Sequence, residues 1–462
     1  MKHMEVNKKI RIITAVVAFI VALATLTKSS VASPVEQSSS AAKEGAGDSA
    51  PGDESSQQED ASQQPGSAQA TNQASNDPDD LRDNDRPLTG QDLIDEEFPR
   101  SWPLFGSDYR LGFKGYVKLD YLQDFSGTGD RFQFVTATIP VEGTPEAEVG
   151  GYMNMFVRET RFSFEVRKTT EGAPPQKFFL EMDFFQESAG AFNQYPRLRH
   201  AYFVYGRFLA GRTWGLLTAV QAVPALIDFA AGDALAGTRA AQIRWQQRVS
   251  EGFKWTVGIQ MQEFPGIENV SNQTGRPSQN LPVFAGRIDR EWGASSLMLG
   301  GGFTQLRWDG EGVGPNATAY QFGVVFNGRW TFPYGGYVLW NSSFGKGSGN
   351  GVIALIGQGA SATLTPEGEL DTMRAASAAV GYGHPFSKRV SSTVHVAWTE
   401  LDPSELRAPD RMKASITAHA NVLCSITENM SAGVEYMYGR RTNTDDRFGV
   451  AHRLQVMTKY AF

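Results

Sequence analysis

The sequence predicts an all-β protein: a transmembrane antiparallel β-barrel of about sixteen strands, preceded by a disordered N-terminal segment. Three observations predict it. The last residues alternate in polarity, the same alternation recurs along the chain, and the connections between these stretches are long and short in turn. An alternation of period two places successive side chains on opposite faces of a strand.

The stretch 450–462 shows the alternation most clearly. One face is mostly apolar and ends in Tyr460 and Phe462, whereas the other face carries Arg453 and Lys459. Apolar residues suit contact with lipid, and aromatic residues suit the membrane–water interface. We therefore interpret this stretch as the closing strand of a barrel.

The same pattern begins near residue 112. In the stretch 112–124, Val117 and Leu119 point to one face, and Lys118 and Asp120 point to the other. Some later stretches are rich in Gly and Ala, so the facing of their residues stays open. The predicted strands lie near 112–124, 159–167, 177–185, 197–205, 208–214, 239–246, 253–262, 283–290, 295–308, 317–331, 334–344, 373–383, 389–400, 411–423, 430–441 and 449–462.

The connections after odd-numbered strands tend to be long, and those after even-numbered strands are mostly tight. This bias is typical of outer-membrane barrels with both termini in the periplasm, and a β-sandwich does not require it. In lipid every backbone donor must be paired within the protein, so the sheet must close. A barrel of about sixteen strands encloses a lumen that side chains cannot fill. The sequence therefore predicts a water-filled channel.

Composition divides the chain into four predicted parts. Residues 1–32 have the basic start, apolar run and small cleavage-site residues of a secretory signal peptide. Residues 33–90 contain twelve acidic and three basic residues and few large apolar ones. We expect them to form a disordered tether. Residues 91–108 form a periplasmic lead-in, and 109–462 form the barrel.

Several function classes receive no support from the sequence. The barrel region has no basic excess that would suggest nucleic acid. Cys424 is the single cysteine, which excludes an internal disulfide. The acidic cluster 77–85 has Leu81 where a calcium-binding loop needs an oxygen ligand. We therefore expect neither a metal site nor a cofactor.

The connection 215–238 is too apolar for a solvated surface loop. It contains Val220, Pro224 and Phe229, and Asp228 is among its few charged residues. We expect this loop to fold into the barrel and narrow the channel. The alternative is a cap over the rim or a contact with a neighbouring subunit.

Arginines predicted to face inward gather near the level of this loop, and acidic residues face the same space. The planar guanidinium group forms paired hydrogen bonds with carboxylates. One interpretation is an arginine ladder opposite carboxylates that favours small anions. The other is a set of cross-strand ion pairs that stiffen a wet wall. The arginines are Arg161, Arg167, Arg197, Arg199, Arg212, Arg244 and Arg287, and the acids are Glu159, Glu165, Glu181, Asp183 and Asp289.

The motifs resemble those of the DcaP-like trimeric outer-membrane porins. The resemblance implies a trimeric channel for small, mainly anionic solutes such as dicarboxylates, embedded in outer-membrane lipid. It also implies that Arg161, Arg197, Arg199 and Arg244 lie toward the constriction. The matching stretches include Trp102-Pro103-Leu104-Phe105-Gly106-Ser107-Asp108, Gly115-Tyr116-Val117-Lys118-Leu119-Asp120, Arg161-Phe162-Ser163-Phe164-Glu165-Val166-Arg167, Glu181-Met182-Asp183-Phe184-Phe185, Arg197-Leu198-Arg199-His200-Ala201-Tyr202, Ala210-Gly211-Arg212-Thr213-Trp214 and Gly433-Val434-Glu435-Tyr436.

Two alternative functions remain open. A sugar-selective channel would stack aromatic rings on pyranose faces, and Tyr116, Phe179 and Phe203 are predicted to face inward. A structural barrel that anchors the envelope would need no conducting lumen.

We do not expect an enzyme. Ser391, His395, His419 and Asn421 could share one face of neighbouring strands. However, the serine lies four residues from His395 along its strand, roughly 13 Å at the strand rise, which is too far for a direct hydrogen bond.

Overall fold

The structure is a computed structural model. The predicted signal peptide and tether lie outside the residues that it describes, and the predicted lead-in is described in part. Among the described residues, no helix is long and apolar enough to cross a membrane. The described residues are 98, 101–104, 108–168, 170, 172–186, 195–263 and 265–462.

Sixteen long antiparallel strands form one closed sheet, which confirms the predicted fold class. Every predicted strand is present, with small differences at the ends. In chain order they are β1 (Tyr109–Asp124), β2 (Arg161–Lys168), β3 (Gln176–Gln186), β4 (Tyr195–Tyr205), β5 (Phe208–Trp214), β6 (Arg239–Ser250), β7 (Phe253–Gln260), β8 (Val283–Trp292), β9 (Ser295–Asp309), β10 (Ala317–Thr331), β11 (Tyr337–Lys346), β12 (Arg374–Pro385), β13 (Val390–Asp402), β14 (Met412–Ser425), β15 (Met430–Asn443) and β16 (Phe448–Ala461).

The sheet closes where β1 meets β16. The register between them begins at Tyr116 opposite Ala461 and ends at Asp124 opposite Arg453. On its other edge β1 pairs with β2. The closing seam therefore satisfies the backbone groups of both terminal strands, as an apolar surrounding requires.

The two faces of the wall differ in polarity as the alternation predicts. On β1, Val117 and Leu119 are 48% and 43% exposed on the outside, whereas Lys118 and Asp120 are 4% and 0% exposed on the inside. Apolar side chains thus cover the outer surface, and charged side chains lie in the interior. This arrangement fits lipid outside and a polar lumen inside.

The chain also forms shorter elements. The strand Tyr152–Phe156 continues β2 alongside β1, and Ser101–Leu104 pairs with the start of β1 beyond the end of β16. Three other short strands, Ile267–Asn269, Ala362–Leu364 and Leu370–Thr372, form a separate sheet among the long connections. The remaining elements are the strand Arg276–Ser278 and the 3₁₀ helices Thr136–Thr138, Pro145–Glu148, Val220–Ala222, Gly349–Gly351 and Ile353–Leu355.

Three long connections enter the interior. We call 125–151 the first inner loop, 215–238 the second and 347–373 the third. Phe134 of the first loop is buried against β15 and β16, and Val352 of the third loop bridges to Ala236 of the second. The apolar composition of the second loop predicted its inward position, whereas no such position was predicted for the other two.

A bulge in β4 reverses the alternation there. Arg199 is the extra residue, because His200 lies opposite Glu181 whereas Leu198 lies opposite the next residue of β3. An extra residue shifts every later side chain to the other face. Phe203 is therefore 50% exposed on the outer face, so its predicted inward position is wrong.

Candidate functional site

The second inner loop leaves the wall at β5 and extends across the barrel to contact strands elsewhere in the wall. Its base is closed by a hydrogen bond from Gly215 N to Thr238 O of 2.8 Å. Its middle is held by side chains from three strands that lie far apart around the barrel. Asn341 of β11, Asn421 of β14 and Lys118 of β1 donate to the carbonyl oxygens of Ala222, Ala225 and Ile227 at 2.8, 2.7 and 2.9 Å.

The residues singled out in this loop occupy its buried part. Val220 lies in the short 3₁₀ helix, and Pro224 follows it. Both are buried. Phe229 stacks on Phe185 of β3 with ring centroids 4.1 Å apart. Asp228 is 2% exposed and its Oδ1 accepts a hydrogen bond from Phe134 N of the first inner loop at 2.9 Å. The inner loops thus support one another.

A cavity of about 370 Å³ lies beside the second inner loop. Apolar side chains of the second and third loops form part of its surface, and the barrel wall forms the rest. Six cationic side chains and two carboxylates line it. The cations are Lys118, Arg161, Arg199, Arg239, Arg329 and Lys459, and the carboxylates are Glu159 and Asp228.

Two buried acids position the arginines of β2 and β4. Glu181 accepts a hydrogen bond from Arg199 Nε at 2.6 Å and lies 3.7 Å from Arg161 Nε. Asp183 receives both Nε and Nη2 of Arg197, at 2.9 and 2.7 Å, and also Nη1 of Arg199 at 2.8 Å. Arg161 and Arg199 therefore lie beside buried acids of the neighbouring strand and also line the cavity.

Other cavity cations lie over aromatic rings. Arg239 Cζ is 3.6 Å from the centroid of Trp214, and Lys459 Nζ is 4.4 Å from that of Tyr116. Arg329 Cζ is 3.8 Å from the ring of Tyr337. A ring face orients a cation without cancelling its charge.

Five of the seven predicted arginines, Arg197 among them, do not line this cavity. Arg167 pairs with Glu165. Arg212 lies opposite Ala241, on the same face as the exposed Ile243, so its predicted inward position is wrong. It pairs with Glu263 at 2.8 Å. The other two lie deeper in the wall. Arg287 Nη1 donates to the carbonyl oxygens of Leu216 and Thr218, and Arg244 is buried with no acceptor for Nε and Nη1 among the described residues. Alternation identifies the face of a residue but not its depth along the barrel, which depends on how the strands are staggered.

Four of the cations that line the cavity were not among the predicted site residues. Lys118 and Lys459 stand on the polar faces of their predicted strands, so a signal existed. Their level in the barrel became visible once β1 and β16 were paired, because Lys118 lies directly opposite Lys459. Arg239 and Arg329 carried a weaker signal, since one starts a strand and the other lies near a strand end.

Two buried acids of the second inner loop link it to the first inner loop. Asp233 accepts a hydrogen bond from Thr136 Oγ1, and Asp228 accepts the one from Phe134 N. Within the second loop, Asp228 Oδ2 also accepts a hydrogen bond from Ala230 N at 3.1 Å. Burial raises the pKa of Asp228 to about 6 and the pKa of Asp233 to about 7. For Asp233, the hydrogen bond from Thr136 offsets part of that effect.

Three of the four residues weighed for catalysis contact the second inner loop or the acid that anchors it. His419 Nδ1 lies 3.0 Å from Glu435 Oε1, and Asn421 bonds both Glu435 and the loop. The ring of His395 packs directly under Gly232, where a Cβ would approach Cε1 to 2.5 Å. Ser391 lies elsewhere on β13, opposite Leu423 of β14.

Comparisons with known proteins agree with this architecture. Residues 100–284 match the family model described as DcaP outer membrane protein. A comparison with curated protein sequences gives no match. The outer membrane channel DcaP of Acinetobacter baumannii superposes with a TM-score of 0.66 at 17% identity, covering 77% of this chain and 98% of that chain.

An anion-selective porin from Comamonas acidovorans superposes with a TM-score of 0.52 at 11% identity, covering 77% of this chain and 100% of that chain. At these identities the structural likeness establishes the fold. Taken with the match over residues 100–284, it confirms the resemblance to the DcaP outer-membrane proteins, and the described chain has the closed sixteen-stranded barrel of outer-membrane porins.

Proposed function

We propose that the protein is an outer-membrane channel that lets small hydrophilic solutes diffuse passively and prefers anions. The observation that carries this proposal is the excess of cations over carboxylates around the cavity, six against two. Fixed charges in a narrow aqueous passage attract counter-ions and repel ions of the same sign. The resemblance to the DcaP family adds dicarboxylates as the expected solutes.

The decisive measurement is the reversal potential of single channels across a KCl gradient. We expect an anion-selective potential for the native protein. Removing two cavity cations, with Arg239→Ala and Lys459→Ala together, should shift it toward cation selectivity. The matched control removes two exposed cations outside the cavity lining, with Arg276→Ala and Arg447→Ala. A native channel without anion preference, or equal shifts in the two double variants, contradicts the proposal.

Solute uptake separates this function from the alternatives. Liposomes containing the protein should swell faster in succinate than in maltodextrins of similar size. The reverse order supports a sugar channel, and a barrel that anchors the envelope shows no conductance steps.

We also infer a homotrimer with both termini in the periplasm. The family resemblance supports the trimer. The start of β1 and the end of β16 both lie at the end of the barrel that carries the short turns, which supports periplasmic termini. Light scattering in detergent measures the subunit number. A C-terminal tag that antibodies reach on intact cells contradicts the orientation.

A further inference from the structure

The cavity has an apolar side that a passage for hydrated ions does not need. Val223 and Leu226 of the second inner loop line it, together with Ile353 and Ile356 of the third. Val223 and both isoleucines are half-buried. An inorganic anion gains nothing from such a surface, because hydrocarbon offers no hydrogen bonds to replace its hydration shell.

Charged and apolar groups stand within one side-chain length of each other here. Lys118 Nζ is 2.9 Å from the carbonyl oxygen of Ile227. Arg199 Cζ lies 5.4 Å from the ring centroid of Phe229. An anionic group held by either cation therefore lies beside the apolar surface of the second inner loop.

The size of the cavity fits a bound organic molecule. Small-molecule sites typically enclose roughly 300–1,000 Å³, are mostly apolar and hold a few charged groups that orient the ligand. The volume of about 370 Å³ falls in the lower part of that range. The cations of the barrel wall and the hydrocarbon of the inner loops together complement a molecule that carries both an anionic group and an apolar body.

We propose that this cavity transiently binds amphipathic monocarboxylates, which carry one carboxylate on an apolar body of about four to eight carbon atoms. This inference rests on the proposed function, since it names the solutes that the anion-preferring channel retains. The carboxylate pairs with the wall cations, and the hydrocarbon contacts the second and third inner loops. Such solutes occupy the channel longer than acetate or chloride does.

The test measures how added solutes block chloride current through single channels. The probes are acetate, butyrate, hexanoate and octanoate, with hexylammonium as the probe of opposite charge. We expect the half-blocking concentration to fall by about two- to fourfold for each added methylene group, because each buried methylene contributes about that factor. Hexylammonium should block far less than hexanoate does.

Variants on the apolar side replace hydrocarbon with a hydroxyl group. Val223→Thr with Ile353→Thr should weaken block by hexanoate and octanoate more than block by acetate, which flattens the dependence on chain length. The control is Val313→Thr, at a position that is 84% exposed and outside the cavity lining, and it should behave like the native protein.

The reversal potential, recorded in the same bilayers, separates the two proposals. Anion preference with block that is independent of chain length overturns the amphipathic site and leaves the proposed function standing. Equal block by hexylammonium and hexanoate, with no anion preference, overturns both.

Discussion

The barrel wall near β1 to β4 and the second inner loop face the same cavity but contribute different properties. The wall presents Lys118, Arg161 and Arg199, with acids behind them. The loop presents mainly hydrocarbon and is anchored through its backbone carbonyl groups. Under the proposed function, charge selectivity therefore originates in the wall and free cross-section in the second inner loop. Substitutions in one region should therefore change one property and spare the other.

The largest expected effect comes from deleting residues 219–234. The barrel wall should persist, because β5 and β6 pair directly through Ala210 and Ile243. Removing the loop should raise single-channel conductance by roughly twofold or more, since a barrel of this strand number leaves a wide lumen. Anion preference should weaken less than conductance rises. An unchanged conductance contradicts the assignment of free cross-section to this loop.

The next effect concerns the anchor of the loop. Glu435 is fully buried and accepts hydrogen bonds from Asn421, His419 and the backbone N–H of Ile227. Glu435→Leu leaves these donors buried without an acceptor, which should cost about 2–5 kcal/mol of docking free energy. Hydrogen exchange of the backbone amides in 222–231 measures the loss.

The control for that variant is Glu165→Leu. Glu165 is also a buried acid of the wall, but its partners are Arg167 and Lys177 rather than the second inner loop. Exchange in 222–231 should stay at the native rate. Equal acceleration in both variants indicates general loosening of the barrel.

A smaller effect should follow pH. The pKa of Asp228 is raised to about 6 and that of Asp233 to about 7, against an ordinary value of 3.8. A raised pKa means that the docked loop favours the protonated acids. Docking is therefore strongest below about pH 4, weakens as the pH rises to about 6 to 7, and is constant above that. Conductance should therefore increase between about pH 4 and 7.

The charged and titratable groups near these acids are His419, Glu435 and Arg453, and the two acids also interact with each other. Thr136 donates a hydrogen bond to Asp233. The variant Asp233→Asn removes the ionisation of this side chain but keeps its contact with Thr136. The amide cannot ionise, and its oxygen still accepts the hydrogen bond. Its conductance should respond less to pH than that of the native protein. A native conductance that falls with rising pH, or an identical response in the variant, runs against this account.

The smallest effect is expected at Arg212. Its ion pair with Glu263 is 2.8 Å long, and both side chains are partly exposed. Exposed pairs contribute less than about 1 kcal/mol, and solvent screens their charge. Arg212→Ala should shift the reversal potential much less than Arg239→Ala. Equal shifts mean that position in the cavity does not decide selectivity.

The sequence was sufficient for most of the wall. Alternation gave every strand, because lipid on one face and water on the other demand opposite polarity from neighbouring residues. It erred at Phe203, where the extra residue Arg199 reverses the faces. The alternation of polar and apolar residues does not reveal a bulge when charged and aromatic residues both precede and follow it.

The site was harder to predict than the wall. Arg161 and Arg199 were recognised and lie on the cavity, but Arg167 and Arg212 do not, and Arg239 and Arg329 were missed. A residue faces the lumen because of its parity, but its height depends on strand stagger, which is a property of the closed sheet.

The sequence by itself determined that the protein is a barrel, which face of most strands is apolar and which connection is too apolar to remain in solvent. These properties follow from the polarity of neighbouring residues, which the amino-acid sequence specifies directly. Tertiary structure decided which charges meet around the cavity, and it brought three loops rather than one into the lumen. Those outcomes depend on contacts between residues such as Lys118 and Lys459, hundreds of positions apart, which are fixed when the first strand pairs with the last.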